Sequence, residues 1–487
     1  MIKKHFFSNY VYYTLLFFIL FVFFAKVHPL LPYDIDDWKY CGIARLPYPW
    51  LGLWNPTKIF PECFQPLVGL IAAHFVTPII GDYLTALVVS HAFVVTIFII
   101  GYFFSIQKLL EWRFQLTKIS ALGIITVLVL LHFLALITRS TDNGHLFYSP
   151  DVNCYYNYII PNMLCASLAT WILRHDLTTI KSNTAQSLFL FLTFLAIFSN
   201  LYSSAILIAA VGAKLLLRLF ESDKKEQRWL IKYIRKNAFL VFVIIVWLIV
   251  QLFEANGRRA HASEAMMLSF GESMKTTIAI FLSVRYNKWF LLLTVSAILA
   301  AVILHSIKEK RNPFRVGKLS AMIVLALLLT VTYMILLSSQ VLPQYLYRSE
   351  VKFSYLFFYI LLVALGLGYL TSKLKYFKHL YPFLIFFLFF IGFTNENTYI
   401  DVQKPYGTDL QTCETFDRSF INQVKNADLM GMDTVTIYVH DYKNTTNWPL
   451  MLHQGKYIGI TLHKHGITKR RIETIFEKLP EGFDADK

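Results

Sequence analysis

The chain lacks the short motifs of soluble enzymes. No G-x-x-x-x-G-K-[ST], G-x-G-x-x-G or G-x-S-x-G run occurs, so a nucleotide-cradling loop and a serine-hydrolase elbow are without support. No His pair has zinc-like spacing joined to cysteines, and the histidines singled out (His261, His440, His463, His465) read as surface residues. "HKH" at 463–465 reads as an alternating strand or loop with both rings on one side. Charge is scarce too: Asp, Glu, Lys and Arg make up 16% of 487 residues, while 56% are hydrophobic and 43 are Phe. Too little polar surface remains to cover a soluble globule of this size, which makes the chain a polytopic membrane protein. No internal repeat is evident, which disfavours the duplicated architecture of many transporters.

What is present is a series of apolar runs near 11–28, 84–106, 119–138, 156–173, 187–200, 202–220, 238–254, 289–306, 319–340, 353–371 and 380–394. They give about eleven transmembrane helices, the pair at 187–220 being the least regular. The first run is too long for a signal-peptide core and reads as a retained helix. With the N-terminus in the cytoplasm, the inner segments (1–10, 107–118, 174–186, 214–237, 305–318, 372–379) carry 23 Lys/Arg against 6 Asp/Glu. That surplus accounts for the whole net charge of +16. Orientation by positive charge explains it, so no nucleic acid is invoked.

An odd helix count puts the first loop, 29–83, and the tail from 396 on the same outer face. The transmembrane domain is then 1–395, and 396–487 is a small C-terminal α/β domain. The loop holds a mildly apolar stretch, "PLVGLIAAHFVTP", short for a span and suited to an interfacial helix, and "MKTTIAIFLSV" at 274–284 is similar. In the tail, "DTVTIYVHDY" reads as a strand, while "CETFDRSFINQVKNADLMGM" and "ITKRRIETIFEKL", with Thr468 as N-cap, read as helices. Export permits disulfides, Cys41–Cys63 being the pairing singled out. His91 and His132 fall inside helices, where a polar residue bonds to a neighbour. "NTT" at Asn444 has the glycosylation pattern, frequent by chance.

The chemistry centres on "LPYDIDDWKY", with Asp34, Asp36 and Asp37 just beyond the first apolar run. Acids are expensive beside hydrocarbon, and three together repel one another, the condition that raises a carboxylate pKa and makes a general base. The third outer loop, "TRSTDNGHLFYSPDVNCYYNYIIPN", adds Asp142, His145, Asp151, Tyr155, Tyr156 and Tyr158, aromatic rings beside acids that make a carbohydrate surface or an interfacial belt. Outer arginines able to bind phosphate or lipid headgroups are Arg139, Arg258, Arg259, Arg285 and Arg348. In the tail, "DYKNTTNWPLMLHQGKYIGITLHKHG", with Trp448, is an acceptor clamp or a folding cap.

This layout, a first helix ending in "DIDD", a large first outer loop with an interfacial helix, many further helices and a terminal outer domain, resembles the GT-C class of membrane glycosyltransferases. Within it the chain is most similar to the phage-borne, serotype-converting O-antigen glucosyltransferases of the Gtr type. The resemblance implies transfer of a hexose, glucose above all, from undecaprenyl phosphate to a lipid-linked polysaccharide at the periplasmic face of the bacterial inner membrane. Asp36 or Asp37 would be the base of an inverting displacement, Asp36 being favoured. The other acid would fix the first or bind a divalent cation, and Asp142 or Asp151 would be a second acid. Arg258, Arg259 and Arg348 would hold the donor phosphate, and Tyr155, Tyr156 and Trp448 the acceptor. No cofactor beyond that cation is implied, and membrane lipids are the surrounding partners. The alternative function is a lipid-linked-saccharide transporter or flippase, which would place ionisable groups on broken helices at the bilayer midplane.

Overall fold

The computed structural model describes residues 2–32, 35–43, 58–135, 145–149, 151–222, 228–255, 270–283, 314–341, 343–374, 376–394, 410–439 and 455–478. The protein is mostly helical. In chain order the helices are α1 (Ile2–Val22), α2 (Ile35–Gly42), α3 (Ile59–Ile71), α4 (Tyr83–Phe114), α5 (Lys118–Leu130), α6 (Ile160–Arg174), α7 (Asn183–Ile197), α8 (Leu201–Glu221), α9 (Trp229–Lys236), α10 (Ala238–Ala255), α11 (Phe270–Ser283), α12 (Phe314–Gln340), α13 (Ser349–Lys373), α14 (Tyr381–Thr394), α15 (Leu410–Leu429) and α16 (Lys456–Lys464), with strands β1 (Thr434–Val439) and β2 (Glu473–Lys478) in the tail. Ten of the eleven apolar runs coincide with helices; the run at 289–306 lies outside the described residues. Among the described residues seven helices are long and apolar enough to cross a membrane.

Local sequence sets the helix starts. Asp82 caps α4 by accepting the Thr85 N–H at 2.9 Å, and Asn200 and Thr117 cap α8 and α5 in the same way. Two helices carry an internal proline two residues beyond a π-helical turn: Ala72–Val76 precedes Pro78, and Tyr155–Ile159 precedes Pro161. Proline gives no N–H and crowds the preceding turn, and the widened turn accommodates it without breaking the helix. Residues 152–174 therefore form one helix of about 34 Å, near the thickness of bilayer hydrocarbon. Its Asn and Tyr residues are tolerated because α4, α8 and α13 cover it.

The loop helix α3 is longer than the interfacial stretch read from sequence, continuing through Ala72–Val76 to Ile80. Its length alone would let it cross. Its start, however, is tied to the α7–α8 turn, where the Phe60 N–H donates to the Phe198 carbonyl at 2.9 Å. Phe60 and Phe64 also meet Phe98, halfway down α4. The start of α3 thus lies beside the middle of α4, and the start of α4 lies at the same end of the bundle as α2.

The tail is built onto the first loop. Trp38, Ala72, Tyr83 and Leu87 share one apolar cluster with Phe420, Val424, Ile437, Ile458, Leu462 and Phe476. Polar ties cross the same seam: Thr461 Oγ1 donates to the Trp38 carbonyl at 2.6 Å, and Arg418 pairs with Asp82 at 2.9 Å. Gly459 lies so close to the Ile472 carbonyl oxygen that any Cβ would collide with it, which fixes glycine there. The strand expected at "DTVTIYV" is β1. The helix expected from "ITKRRIETIFEKL" is instead β2, paired in parallel with β1 from Thr434↔Glu473 to Val439↔Lys478. Thr474 (3% exposed) and Phe476 (5%) point inward with Ile472, a period of two that the outward Ile475 (41%) disguises as helical spacing.

Candidate functional site at the acid end of the bundle

Asp36 and Asp37 occupy the first turn of α2, where the helix end favours carboxylates. Asp36 is half-buried. Asp37 is 0% exposed and accepts the Asn153 backbone N–H at 2.5 Å, which locks α2 to the start of the 152–174 helix. On that same turn Asp151 accepts the Cys154 N–H at 2.6 Å. Burial raises the Asp151 pKa against the opposing pull of Arg348. Arg348 reaches Cys154 Sγ at 3.0 Å and pairs with Glu350 at 2.5 Å, its guanidinium lying over the Tyr158 and Tyr345 rings. One helical turn therefore holds an acid from the first loop and a cation from the loop before α13.

Several expectations change. Tyr155 and Tyr156 are wholly buried and present no face to a sugar: Tyr156 is hydrogen-bonded to His91 Nδ1 at 2.8 Å, and Tyr155 meets His28 Nδ1 at 3.4 Å. Cys41 and Cys63 are free thiols, Cys41 facing His91 Nε2 at 3.7 Å and Gln65 Nε2 at 3.8 Å, so the pairing that export would permit is not formed. Arg348 is present at the site, but its charge is matched by Glu350, which leaves little surplus for a donor phosphate. Asp34, Arg139, Asp142, Arg258, Arg259, His261, Arg285, His440, Asn444 and Trp448 lie outside the described residues. Among the described residues no group of three His, Cys, Asp or Glu side chains is arranged to hold a metal ion.

No protein-family model, curated protein or solved structure matches this chain.

Other buried residues complete this end of the bundle. Glu350 is 2% exposed beside Arg348. His28 stacks on Tyr148 at 5.3 Å. His465 is no partner of His463, which sits exposed on the last turn of α16. The His465 ring turns inward, with Nε2 3.1 Å from the Cys41 carbonyl and Nδ1 2.6 Å from the Tyr83 hydroxyl. Facing a carbonyl, Nε2 must carry the hydrogen, so Nδ1 accepts from Tyr83, and burial keeps the ring neutral with a pKa of about 4. The expected same-side "HKH" pair is therefore split between solvent and core.

Asp417 of α15 is 0% exposed, and neither carboxylate oxygen finds a hydrogen bond of good geometry among the described residues. Burial raises its pKa well above the carboxylate range, with Trp38 offsetting part of the rise. The folded tail therefore holds a proton that the unfolded chain releases near pH 4, and stability falls as pH climbs from there towards the folded pKa. Asp417→Asn removes that term. We expect melting of the detergent-solubilised protein between about pH 5 and pH 8 to lose much of its downward slope in this variant; an unchanged slope would assign it elsewhere.

Proposed function

We propose that this chain is a GT-C-type membrane glycosyltransferase that moves a hexose, glucose above all, from undecaprenyl phosphate to a lipid-linked O-antigen polysaccharide at the periplasmic face of the bacterial inner membrane. The observation carrying the reading is the pair of acids on the first turn of α2: Asp37 buried and bound to the Asn153 N–H, Asp36 beside it and half-buried. In this reading Asp36 takes the proton of the acceptor hydroxyl as that oxygen attacks the anomeric carbon. The bond from that carbon to the phosphate oxygen breaks on the opposite side, configuration inverts, and polyprenyl phosphate leaves as the anion. Asp36 then sheds its proton to water. Asp37 holds the turn in place. Arg258 and Arg259 stand as the cations for the departing phosphate.

The test is mass analysis of the host's surface polysaccharide with and without the protein. A gain of one hexose per repeat, lost when the synthase forming the lipid-linked donor is depleted, supports the reading. No mass change in a host that inserts the protein normally overturns it.

A further inference from the structure

The 152–174 helix leads from the acid site to a second site at its other end. There the ends of α4, α6 and α8 and the start of α12 line an open-sided cavity of about 410 Å³. Five cations line it, Arg113, Arg174, Lys214, Arg218 and Lys318, against one carboxylate, Asp176. That carboxylate is already taken: Lys214 binds it at 2.8 Å and Arg218 grips both oxygens at 2.7 and 2.8 Å. Lys214 also donates to the Ile172 and His175 carbonyls at 2.6 and 2.7 Å, so it caps the end of α6 and is structural.

Arg174 is different. Its Nε is buried and finds no hydrogen-bond partner among the described residues. The acid acting on it, Glu111, is held by Lys108 and Gln107, each at 2.7 Å. Lys318 has a counter-ion in Glu221, on an exposed pair of the kind worth little. Trp112, Leu217 and Met322 complete the wall. Orientation by positive charge explains an excess of Lys and Arg at this end of the bundle, but not their convergence on one partly apolar, open-sided cavity of ligand size.

We propose that this cavity binds a phosphate-bearing anion, either the headgroup of an anionic lipid entering from the bilayer or a free phosphoester from water, with Arg174 and Lys318 as its principal ligands. An arginine fork suits phosphate oxygens, and the apolar wall suits the glycerol and upper chain of a lipid. Such a ligand would tie together four helix ends about 30 Å from the acid site. The inference does not rest on the transferase reading.

The test uses the full chain in neutral detergent, following thermal unfolding by tryptophan fluorescence while titrating inorganic phosphate in one arm and phosphatidylglycerol in the other. We expect a saturable rise in Tm. A rise in the lipid arm alone identifies the headgroup, and a rise with inorganic phosphate identifies the free phosphoester. Arg174→Gln and Lys318→Gln should each raise the half-saturating concentration roughly tenfold. Arg235→Gln, which removes an exposed charge at the same end outside the cavity, should leave it unchanged. No rise in either arm for the unaltered chain overturns the proposal, as does an equal rise in the chain carrying both cavity substitutions.

Discussion

Asp36→Asn is expected to abolish sugar transfer, by at least ~100-fold, while leaving insertion and melting temperature nearly unchanged. The two neighbouring acids make this a sharp experiment because their surroundings differ. Asp36 is half-buried and, in the proposed mechanism, is the proton acceptor, so its loss should show in transfer before it shows in stability. Asp37 is sealed, with its carboxylate on the Asn153 N–H. Asn at that position keeps an acceptor oxygen but gives up a charge-assisted bond, so Asp37→Asn should lower stability by about 1 to 2 kcal/mol and reduce transfer through displacement of α2. The measurements are hexose added to surface polysaccharide, by mass, and thermal unfolding of the purified variants. Transfer retained in Asp36→Asn but lost in a stably folded Asp37→Asn would move the base by one residue. Full transfer in both would end the glycosyltransferase reading.

The helices could be read from sequence because their signal is long and redundant: a run of twenty apolar residues tolerates an intruding Asn or Pro without changing its meaning. The features missed were those carried by a few residues against a misleading background. The interfacial stretch read from sequence began at Pro66 and ended at Pro78, whereas the helix absorbs Pro66 internally and Pro78 after a π turn. In β2 the strand signal rests on Ile472, Thr474 and Phe476, and one outward isoleucine obscured it. For the site, the acids of α2 stood out because nothing apolar explains them. Glu350 and Asp417 did not, since an acid at a helix start or on an amphipathic helix is ordinary until tertiary contacts bury it. Tyr155 and Tyr156 show the opposite error. An aromatic run beside polar residues looks like a binding surface, yet both rings are wholly buried and hydrogen-bond inside the bundle.

Arg348 decides how much cationic help this end of the bundle can give a departing phosphate. Its guanidinium binds Glu350 through Nε at 2.6 Å and Nη2 at 2.5 Å, and burial, which pulls the Arg348 pKa down, is outweighed by Glu350, Cys154, Tyr158 and Asp151. Glu350 is 2% exposed and Arg348 35%. Removing the arginine therefore leaves a sealed carboxylate without its guanidinium, the costly way to break a pair, whereas removing both charges is often nearly neutral. Arg348→Ala should cost about 3 kcal/mol, the lower end of the range because the arginine is partly solvated. Glu350→Gln combined with Arg348→Met should recover most of it, giving a large coupling in a double-mutant cycle read by thermal unfolding. If transfer in the double variant then stays near that of the unaltered chain, Arg348 is a positioning residue, and the phosphate must be met by Arg258 and Arg259. If stability recovers while transfer remains lost, the guanidinium contacts the donor as well as Glu350. A cost under about 1 kcal/mol for Arg348→Ala would mean that the pair contributes no more than a surface ion pair does, and that Arg348 is held at this position for its charge.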